Sequence, residues 1–443
     1  MIASKYNQIT RLGDGRVVFY NLLSGAVDLG DEQDVAAFMS GISRTDEERT
    51  DWLERGYFFE TPLAEQAYIA ERYASFSADM ATQEVQFMLV PTYACHFNCE
   101  YCYQKGIDSA HSLLDEERLI AFMSYIKQFK LDTGRSVTVT IFGGEPLWPG
   151  DKHTKLFERI IEELNAENIP MAVVTNGFYL KEYVSLLATG DLREVHVSID
   201  GDKCEHDKRR RTKDDRPTFD TIVEGLVAAK EAKLPIQIRL IIDRKTLKTL
   251  PDLARRLEAM GFLDLPKELF KTSLGRNYEL INDYSLPSDL FELDEMISEY
   301  VALLKAEPIL ARLHMPSFFG ITQLINKGEM YQPSFDTCPA AKSEWVFDAA
   351  GNVYGCTASC GRDDYRLGQY YPALVMNEVA IKPWVDRTIF TIPECQSCSV
   401  AVVCGGGCGV IAKDREGNVQ APNCKPIKAI MDEGLRYYQD VLK

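Results

Sequence analysis

The sequence predicts an α/β protein in three parts: a partial β/α barrel, a small α+β module before it and a cysteine-rich domain after it. Three observations predict this. Strand-like runs alternate with amphipathic stretches between about residues 84 and 310, and short strands followed by helices fill residues 1–83. Eight of the twelve cysteines fall between residues 338 and 424, where the regular alternation has stopped. We therefore expect domains at 1–83, 84–310 and 311–443.

The bulk composition narrows the class of protein. A chain of 443 residues exceeds one ordinary hydrophobic core, and 46% hydrophobic with 26% charged residues is typical of a soluble protein. We find no apolar run of 18 residues that could span a membrane, and "MIASKYNQITRLGDGR" lacks the apolar segment of a signal peptide. We expect a cytoplasmic protein, in which clustered cysteines bind metal rather than pair. A net charge of −17 argues against a nucleic-acid partner.

The first 83 residues predict a winged-helix-like α+β module. "GRVVFYNLLSG" and "AVDLG" predict two strands joined at Leu23-Ser24-Gly25, and "DEQDVAAFMSG" and "TDEERTDWLERGYFF" predict helices with acidic first turns. A DNA-reading role is opposed by charge, because residues 1–75 carry 7 Lys and Arg against 13 Asp and Glu. A structural cap on the next domain is the alternative.

The middle of the chain predicts a partial (β/α)6 TIM-like barrel. Strand-like runs are "EVQFMLVPT", "SVTVTIFGG", "IPMAVVTNG", "EVHVSIDG" and "IQIRLIID", with a sixth near "ELFKTSLG". Near-continuous β-branched runs that alternate with helices predict a parallel sheet with both faces covered. A closed barrel needs eight such strands, so a partial barrel fits better.

Four unusual segments follow the first four barrel strands. Three cysteines, Cys95, Cys99 and Cys102, come after the first strand; "FGGEP" ends the second, "TNG" the third and "SIDG" the fourth. The carboxyl ends of parallel strands gather at one rim, which is where such folds carry their chemistry. We therefore expect one functional site at this rim.

Three thiolates in eight residues suit an iron–sulfur cube. A closed zinc site needs four ligands, whereas a four-iron cluster held by three cysteines leaves one iron open to a small molecule. The spacing C-x3-C-x2-C on a loop lets all three sulfurs face one cube. A zinc loop with its fourth ligand elsewhere in the chain is the alternative.

The triplet resembles that of the radical S-adenosylmethionine (SAM) superfamily, in which the methionine amine and carboxylate chelate the open iron. Tyr101 directly before the third cysteine, and the position after the first strand, carry the resemblance together with "GGEP". Glycine lets the backbone approach a ligand closely. The resemblance implies that SAM is bound by Tyr101, Gly143, Gly144, Glu145, Thr175, Asn176, Ser198 and Arg210.

The assignment of Arg210 rests on the pattern "SIDG…HD…R". A guanidinium is a natural clamp for the methionine carboxylate. Because Arg209 and Arg211 flank Arg210, the register of this pattern stays open. We expect His206 to be an exposed turn residue and Cys204 an incidental thiol.

The second cysteine region resembles the SPASM extension of radical SAM enzymes, which carries two auxiliary four-iron clusters. Cys338 is followed by Gly351 and Cys356, then by a C-x2-C-x5-C-x3-C run and Cys424. The resemblance assigns Cys338, Cys356 and Cys408 to an inner cluster and Cys395, Cys398, Cys404 and Cys424 to an outer one. Cys360 is the candidate fourth inner ligand; without it, an open iron could bind a substrate thiolate. A zinc-ribbon-like element is the alternative.

The N-terminal module resembles the recognition domain (RRE) of maturases that act on ribosomally made peptides (RiPPs). There the leader of the precursor peptide adds as a strand to the small sheet. Here Val27, Leu29, Trp52 and Arg55 are the candidate contacts. The resemblances together imply three [4Fe-4S] clusters and SAM as cofactors, with a precursor peptide and a flavodoxin or ferredoxin electron donor as partners.

The expected activity is hydrogen abstraction from a residue of a precursor peptide, forming a thioether or another intramolecular crosslink. One alternative is formation of formylglycine on a protein, as in anaerobic sulfatase maturases. Another is a non-catalytic metal-binding or redox protein. The sequence assigns no catalytic acid or base.

Overall fold

The computed structural model describes residues 1–107, 113–276 and 289–442. Its strands form three sheets. The strands are β1 (Ile2–Ala3), β2 (Asn7–Arg11), β3 (Val17–Asn21), β4 (Val27–Gly30), β5 (Phe58–Phe59), β6 (Val85–Val90), β7 (Val137–Ile141), β8 (Met171–Thr175), β9 (Leu192–Ile199), β10 (Ile236–Ile241), β11 (Phe270–Gly275), β12 (Glu344–Asp348), β13 (Asn352–Tyr354), β14 (Arg366–Gln369) and β15 (Val375–Met376).

The helices cover the sheets. They are α1 (Glu32–Ser40), α2 (Asp46–Glu54), α3 (Pro62–Thr82), α4 (Glu116–Thr133), α5 (Asp151–Ala166), α6 (Leu180–Leu187), α7 (Lys203–Arg209), α8 (Phe219–Glu231), α9 (Thr246–Ala259), α10 (Leu293–Ala306), α11 (Leu310–Leu313), α12 (Ile321–Lys327), α13 (Glu378–Val385), α14 (Pro393–Gln396), α15 (Ala401–Cys404), α16 (Gly409–Glu416) and α17 (Ile427–Tyr437). In the described part of the chain, none of them is both long and apolar enough to cross a membrane.

The N-terminal module is an antiparallel sheet in the order β2-β3-β4 with helices α1 and α2 on one face. The two predicted strands and two predicted helices are present, while β2 and the short pair β1–β5 were not predicted. Phe19 and Phe38 meet at 5.0 Å between ring centres and begin the core of this module. The opposite face packs on the rest of the molecule through Val18 and Tyr20.

The barrel strands confirm the predicted α/β architecture. Strands β6 to β11 pair in chain order and all run parallel. Five of the six lie within a predicted run, the last strand included, and β9 begins two residues before its run. Side chains such as Phe87, Val139 and Ile238 are fully buried, because the helices cover the sheet on its outer face.

The sheet does not stop at β6. Strand β12, from the cysteine-rich region, pairs parallel with β6, with Asp348 opposite Val90. The antiparallel strands β13, β14 and β15 then continue the same ten-stranded sheet. The second cysteine region is therefore joined to the barrel by a backbone ladder next to the strand that leads to the cysteine triplet.

Candidate functional site

A cavity of about 540 Å³ lies at the carboxyl ends of the barrel strands. It holds the three cysteines of the triplet, and we call it the central cavity. Seven of the eight residues predicted to bind SAM line it, and they come from four different strand ends. They are Tyr101, Gly143, Gly144, Thr175, Asn176, Ser198 and Arg210.

The two glycines hold the loop after β7 against the cysteine loop. The backbone N–H of Gly144 donates to the carbonyl of Thr92 at 2.9 Å, and that of Glu145 donates to Ala94 at 2.8 Å. A Cβ on Gly144 would lie 2.1 Å from the carbonyl oxygen of Ala94. Only glycine permits this approach, so the "GG" pair positions the chain that leads into Cys95.

The carboxylate of Glu145 organises the neighbouring loop rather than lining the central cavity. It is fully buried and accepts hydrogen bonds from Thr175 Oγ1 at 2.6 Å, from the backbone N–H of Asn176 at 2.7 Å and from that of Leu147 at 2.9 Å. Burial raises its pKa to about 7, although these three donors favour the charged form. Glu145 thus joins the ends of β7 and β8.

The three consecutive arginines have different surroundings. Arg209 forms ion pairs with Asp200 and Asp243. Arg211 bonds Asp215 and the carbonyl of Asp207 near the surface. Arg210 alone of the three lines the central cavity, and it is only 6% exposed. The structure therefore favours the predicted register.

Arg210 is held by Tyr101 and lines the central cavity. Its Nη1 donates to the phenol oxygen of Tyr101 at 2.5 Å, and that phenol donates to Asp200 at 2.6 Å. Its Nε is buried without a hydrogen-bond partner among the described residues. A buried, unpaired guanidinium N–H requires an acceptor, and a carboxylate suits it best. The residues present therefore fit the methionine carboxylate of SAM.

The prediction that His206 is an exposed turn residue is wrong. His206 lies in α7, is fully buried and accepts a hydrogen bond at Nδ1 from the backbone N–H of Asp200 at 3.2 Å. Its Nε2 contacts Thr218 Oγ1, which donates to the carbonyl of Arg210 at 2.5 Å. Burial lowers its pKa well below the ordinary value, so the ring is neutral. His206 supports the backbone that carries Arg210.

The sequence analysis missed several polar residues that line the interior of the barrel. Gln86 donates to Thr140 Oγ1 at 2.6 Å, and His196 Nε2 lies 2.6 Å from Glu194 Oε1. Gln86, Thr140, His196 and Arg239 all face the central cavity. Barrel interiors are usually filled by branched apolar side chains. Polar residues at every second position of strands such as "VTVTI" and "IQIRLI" were the available signal.

The thiols of the triplet lie close together at the cavity. Burial raises the pKa of Cys95 to about 12, and the charges of Glu145, Cys99 and Cys102 contribute to the rise. Burial also raises the pKa of Cys99 to about 11. Such thiols ionise only beside a strong cationic centre, as the ligands of an iron–sulfur cluster do. Asn176 Nδ2 lies 3.8 Å from Cys95 Sγ, within reach of a cluster held there.

The other cysteines divide between two apolar clusters: Cys338, Cys356, Cys360 and Cys408 pack in one, and Cys395, Cys398 and Cys404 in the other. Burial raises the pKa of Cys395 to about 11, and the charges of Cys404, Cys398 and Cys424 act in the same direction. Burial and the charge of Glu344 raise the pKa of Cys356 well above its ordinary value, and the charges of Cys338 and Cys408 raise it further. Within the described residues, no Cys, His, Asp or Glu side chains are spaced to hold a single metal ion. The ligands of a cube bind different irons and stand farther apart.

Cys360 and Cys204 differ in their surroundings. Cys360 is buried, and its sulfur accepts from Gln104 Nε2 at 3.6 Å. Gln104 belongs to the loop just after the triplet and lines the central cavity. Cys360 therefore lies between the inner group and that cavity. Cys204 is exposed, as expected of an incidental thiol.

The predicted peptide contacts lie around strand β4 in the N-terminal module. Arg55 donates from Nη2 to the carbonyl of Val27 at 2.9 Å and from Nε to Asp28 at 2.7 Å. Trp52 stacks on Phe58 at 4.7 Å between ring centres. Leu29 and Arg55 both line two cavities, of about 370 and 600 Å³, beside this strand.

Comparison with known proteins identifies the domain that carries the central cavity. Residues 89–257 match the family model of the Radical SAM superfamily. This range runs from β6 to α9 and contains the triplet, the glycine loop and Arg210. This part of the barrel is therefore similar to the domains of that superfamily.

Curated relatives are distant. A probable GTP 3′,8-cyclase of Saccharolobus solfataricus (strain P2) is 26% identical over 40% of this chain and 51% of that protein, so the chain spans about half the length of that relative. A cysteine-type anaerobic sulfatase-maturating enzyme of Clostridium novyi (strain NT) is 21% identical over 71% of this chain and 84% of that protein.

Two solved structures share the fold over most of the chain. AnSMEcpe with bound AdoMet and the Kp18Cys peptide has a TM-score of 0.61 at 17% identity, over 81% of this chain and 97% of that one. Streptococcus suis SuiB bound to precursor peptide SuiA has a TM-score of 0.51 at 14% identity, over 96% of this chain and 99% of that one.

Proposed function

We propose that this chain is a radical SAM maturase that abstracts a hydrogen atom from a residue of a ribosomally made precursor peptide and forms a thioether or another intramolecular crosslink. The observation that carries the proposal is the meeting of Cys95, Cys99 and Cys102 with the buried, unpaired Nε of Arg210 at one cavity. Thiols and a carboxylate clamp on one wall are what a SAM-binding cluster needs.

The residues at the central cavity would have different roles. The triplet would hold the cluster; Arg210 and Asn176 would orient SAM, and the packed rim would exclude water. With the cluster reduced and SAM bound, the cofactors supply a 5′-deoxyadenosyl radical that takes a hydrogen atom from the substrate. The polar interior residues, including His196 and Arg239, would contact the substrate or its solvent.

The cysteine-rich region would accept the electron left on the substrate radical. Cys338, Cys356 and Cys408, with Cys360, would hold an inner cluster, and Cys395, Cys398, Cys404 and Cys424 an outer one. Auxiliary clusters in such positions accept or relay one electron. A flavodoxin or ferredoxin would supply the electron that starts the reaction.

The N-terminal module supports a peptide substrate over a folded protein. SuiB, whose structure contains a precursor peptide, covers 96% of this chain, whereas anSMEcpe covers 81%. Strand β4 is an edge strand of a small sheet, the form to which an extended peptide can add. We infer that the leader of the precursor binds there.

Formylglycine formation is the second candidate. It is supported by the higher TM-score of anSMEcpe and by the sulfatase-maturating relative in Clostridium novyi. A short reading frame beside the gene would favour the maturase, and a sulfatase gene would favour this candidate. Both a crosslink and the oxidation of Ser to formylglycine remove two hydrogens, but only formylglycine carries an aldehyde. Mass spectrometry after treatment with a hydrazide, which traps the aldehyde, separates the two products.

The first test needs no substrate. Anaerobically prepared protein should contain about twelve irons per chain, and a Cys95/Cys99/Cys102→Ala variant about eight. Dithionite should produce 5′-deoxyadenosine from SAM with the parent protein and not with the variant. Stoichiometric zinc with little iron after reconstitution, or no 5′-deoxyadenosine, would overturn the proposal and favour a metal-binding protein.

A further inference from the structure

Strand β4 offers a partly covered edge. It is the last strand of its sheet, and no other described strand pairs with its outer side. The backbone N–H of Asn21 donates to Ala26, and because antiparallel pairing alternates, Val27 and Leu29 turn their backbone groups outwards. Arg55 already donates a hydrogen bond to the outward carbonyl of Val27. An added strand would therefore begin to pair at Leu29.

The two cavities beside β4 lie on opposite faces of its sheet. The first, about 370 Å³, includes Phe19 and Gly30, whose face packs against α1 and α2. The second, about 600 Å³, includes Val18, Val27 and Leu324 on the face that packs on the rest of the molecule. Successive side chains of an added strand point to opposite faces, so they would enter the two cavities alternately. We call this pair of cavities the β4 groove.

The first cavity has an excess of negative charge. It contains five carboxylates, Asp28, Asp34, Glu47, Glu48 and Asp51, and two arginines. Three of the carboxylates are paired: Asp28 with Arg55, and Asp34 and Glu48 with Arg44.

Two carboxylates in this cavity lack a counter-ion. Glu47 and Asp51 stand one turn apart on α2, and no ion pair among the described residues involves either one. Like charges at this spacing repel each other. A cation placed between them would relieve the repulsion.

The second cavity has both apolar and polar walls. Its apolar side chains include Val18, Val27, Leu29, Tyr68, Leu324 and Leu442, and Ser24, Asp28, Glu54 and Arg55 also line it. Tyr68 comes from α3 and Leu324 from α12, so this half of the β4 groove is built by the N-terminal module and the C-terminal region together. Apolar side chains of a bound strand would be buried here.

We propose that the β4 groove binds an extended peptide segment in which basic and apolar residues alternate. This rests on the proposed function and specifies the class of leader that it takes. The apolar side chains enter the cavity lined by Leu324, and a Lys or Arg enters the other, between Glu47 and Asp51. Main-chain hydrogen bonds to Leu29 hold the bound peptide strand. When Arg55 leaves the carbonyl of Val27, the pairing extends to that residue.

The test uses labelled peptides with a Leu-Lys-Leu-Lys-Leu core flanked by Gly-Ser, and the same peptides with Glu or Gln in place of Lys. Binding to the full chain with its clusters is measured by fluorescence anisotropy. The variant is Glu47→Gln with Asp51→Asn. The control is Glu71→Gln with Asp79→Asn, which removes the same charge from exposed positions of α3 outside the groove. Circular dichroism checks that both variants fold.

The Lys peptide should bind more tightly than the Gln peptide, and the Glu peptide more weakly than both. The groove variant should lose about threefold to tenfold in affinity for the Lys peptide, the sum of two partly exposed ion pairs, and the control less than twofold. Equal losses in both variants, or tighter binding of the Glu peptide, would overturn the proposal. Failure of the proposed function is seen separately, as absence of 5′-deoxyadenosine without any peptide.

Discussion

Arg210 donates a hydrogen bond from Nη1 to the phenol oxygen of Tyr101 at 2.5 Å. Tyr101 stands between Cys99 and Cys102, so the side chain that faces the cavity as a clamp is held by a residue of the cysteine loop itself. Asp200 accepts a hydrogen bond from the same phenol and pairs with Arg209. The clamp and the cysteine loop therefore keep one fixed geometry.

Arg210→Lys should weaken SAM binding at least about tenfold, because lysine cannot both keep the bond to Tyr101 and present a planar fork to a carboxylate. Equilibrium binding of SAM to anaerobically reconstituted protein measures the loss. Arg211→Lys is the matched control and should stay within about twofold, since Arg211 bonds Asp207 and Asp215 and does not line the described central cavity. Equal losses in the two variants would contradict the assigned register.

Gly144→Ala should displace the cysteine loop without unfolding the chain. The added Cβ would lie 2.1 Å from the carbonyl oxygen of Ala94 and 2.4 Å from that of Tyr93. We expect the iron content to fall from about twelve to about eight per chain, with the auxiliary clusters kept. Gly13→Ala, whose Cβ would meet only the flexible end of Gln439, should keep all the iron. Full iron content in Gly144→Ala would be the contrary result.

Cys360→Ser tests the proposed fourth ligand of the inner cluster. Replacing a thiolate ligand by an alkoxide changes the electronic structure and the potential of a cluster. We expect the electron paramagnetic resonance signal of one auxiliary cluster to shift, while Cys204→Ser leaves all signals unchanged because Cys204 is exposed. Unchanged spectra in Cys360→Ser would mean that the inner cluster has only three protein ligands and an open iron.

Stability should fall in mild acid through His314. Burial lowers the pKa of His314 from 6.5 to about 4, and Nδ1 lies 3.1 Å from Thr272 Oγ1. Between these values the unfolded chain binds the proton and the folded chain does not, so stability is present above pH 6.5 and is lost as the pH falls towards 4.

The measurement compares urea unfolding of the parent and of His314→Asn at pH 7.5 and 5.5. From pH 7.5 to 5.5 the parent should lose about 1.3 kcal/mol more in free energy of unfolding than the variant. A parallel decline in both proteins would show that other groups cause the acid sensitivity.

The parts of the fold that local sequence predicts well are the six barrel strands. Their two buried faces produce near-continuous apolar runs, and that signal needs no knowledge of partners. The pairing of β12 with β6 was beyond this reasoning, because about 250 residues separate the two strands and strand order is decided by packing. Helix α3, Pro62–Thr82, has no counterpart among the predictions either.

The site, like the fold, has features that local sequence predicts and features that depend on tertiary contacts. The triplet follows from spacing, since its three cysteines are close in sequence, whereas the division of the later cysteines into two clusters is implied by the family resemblance. His206 was placed wrongly because its burial depends on Asp200 and Thr218, which the helix brings together only in the folded chain. Glu145 is similar: its motif predicts proximity to SAM, whereas its hydrogen bonds to Thr175 and Asn176 depend on the order of β7 and β8 in the sheet.

The pairing of β6 with β12 limits where the chain can accept insertions and deletions. Asp348 stands opposite Val90, and only seven residues then separate it from Cys356. A one-residue insertion within β12 would reverse which side chains face the barrel and shift everything beyond it by about 3.3 Å. We therefore expect insertions and deletions among natural variants of this protein to fall in surface connections, and the segment from Glu344 to Cys356 to keep a constant length.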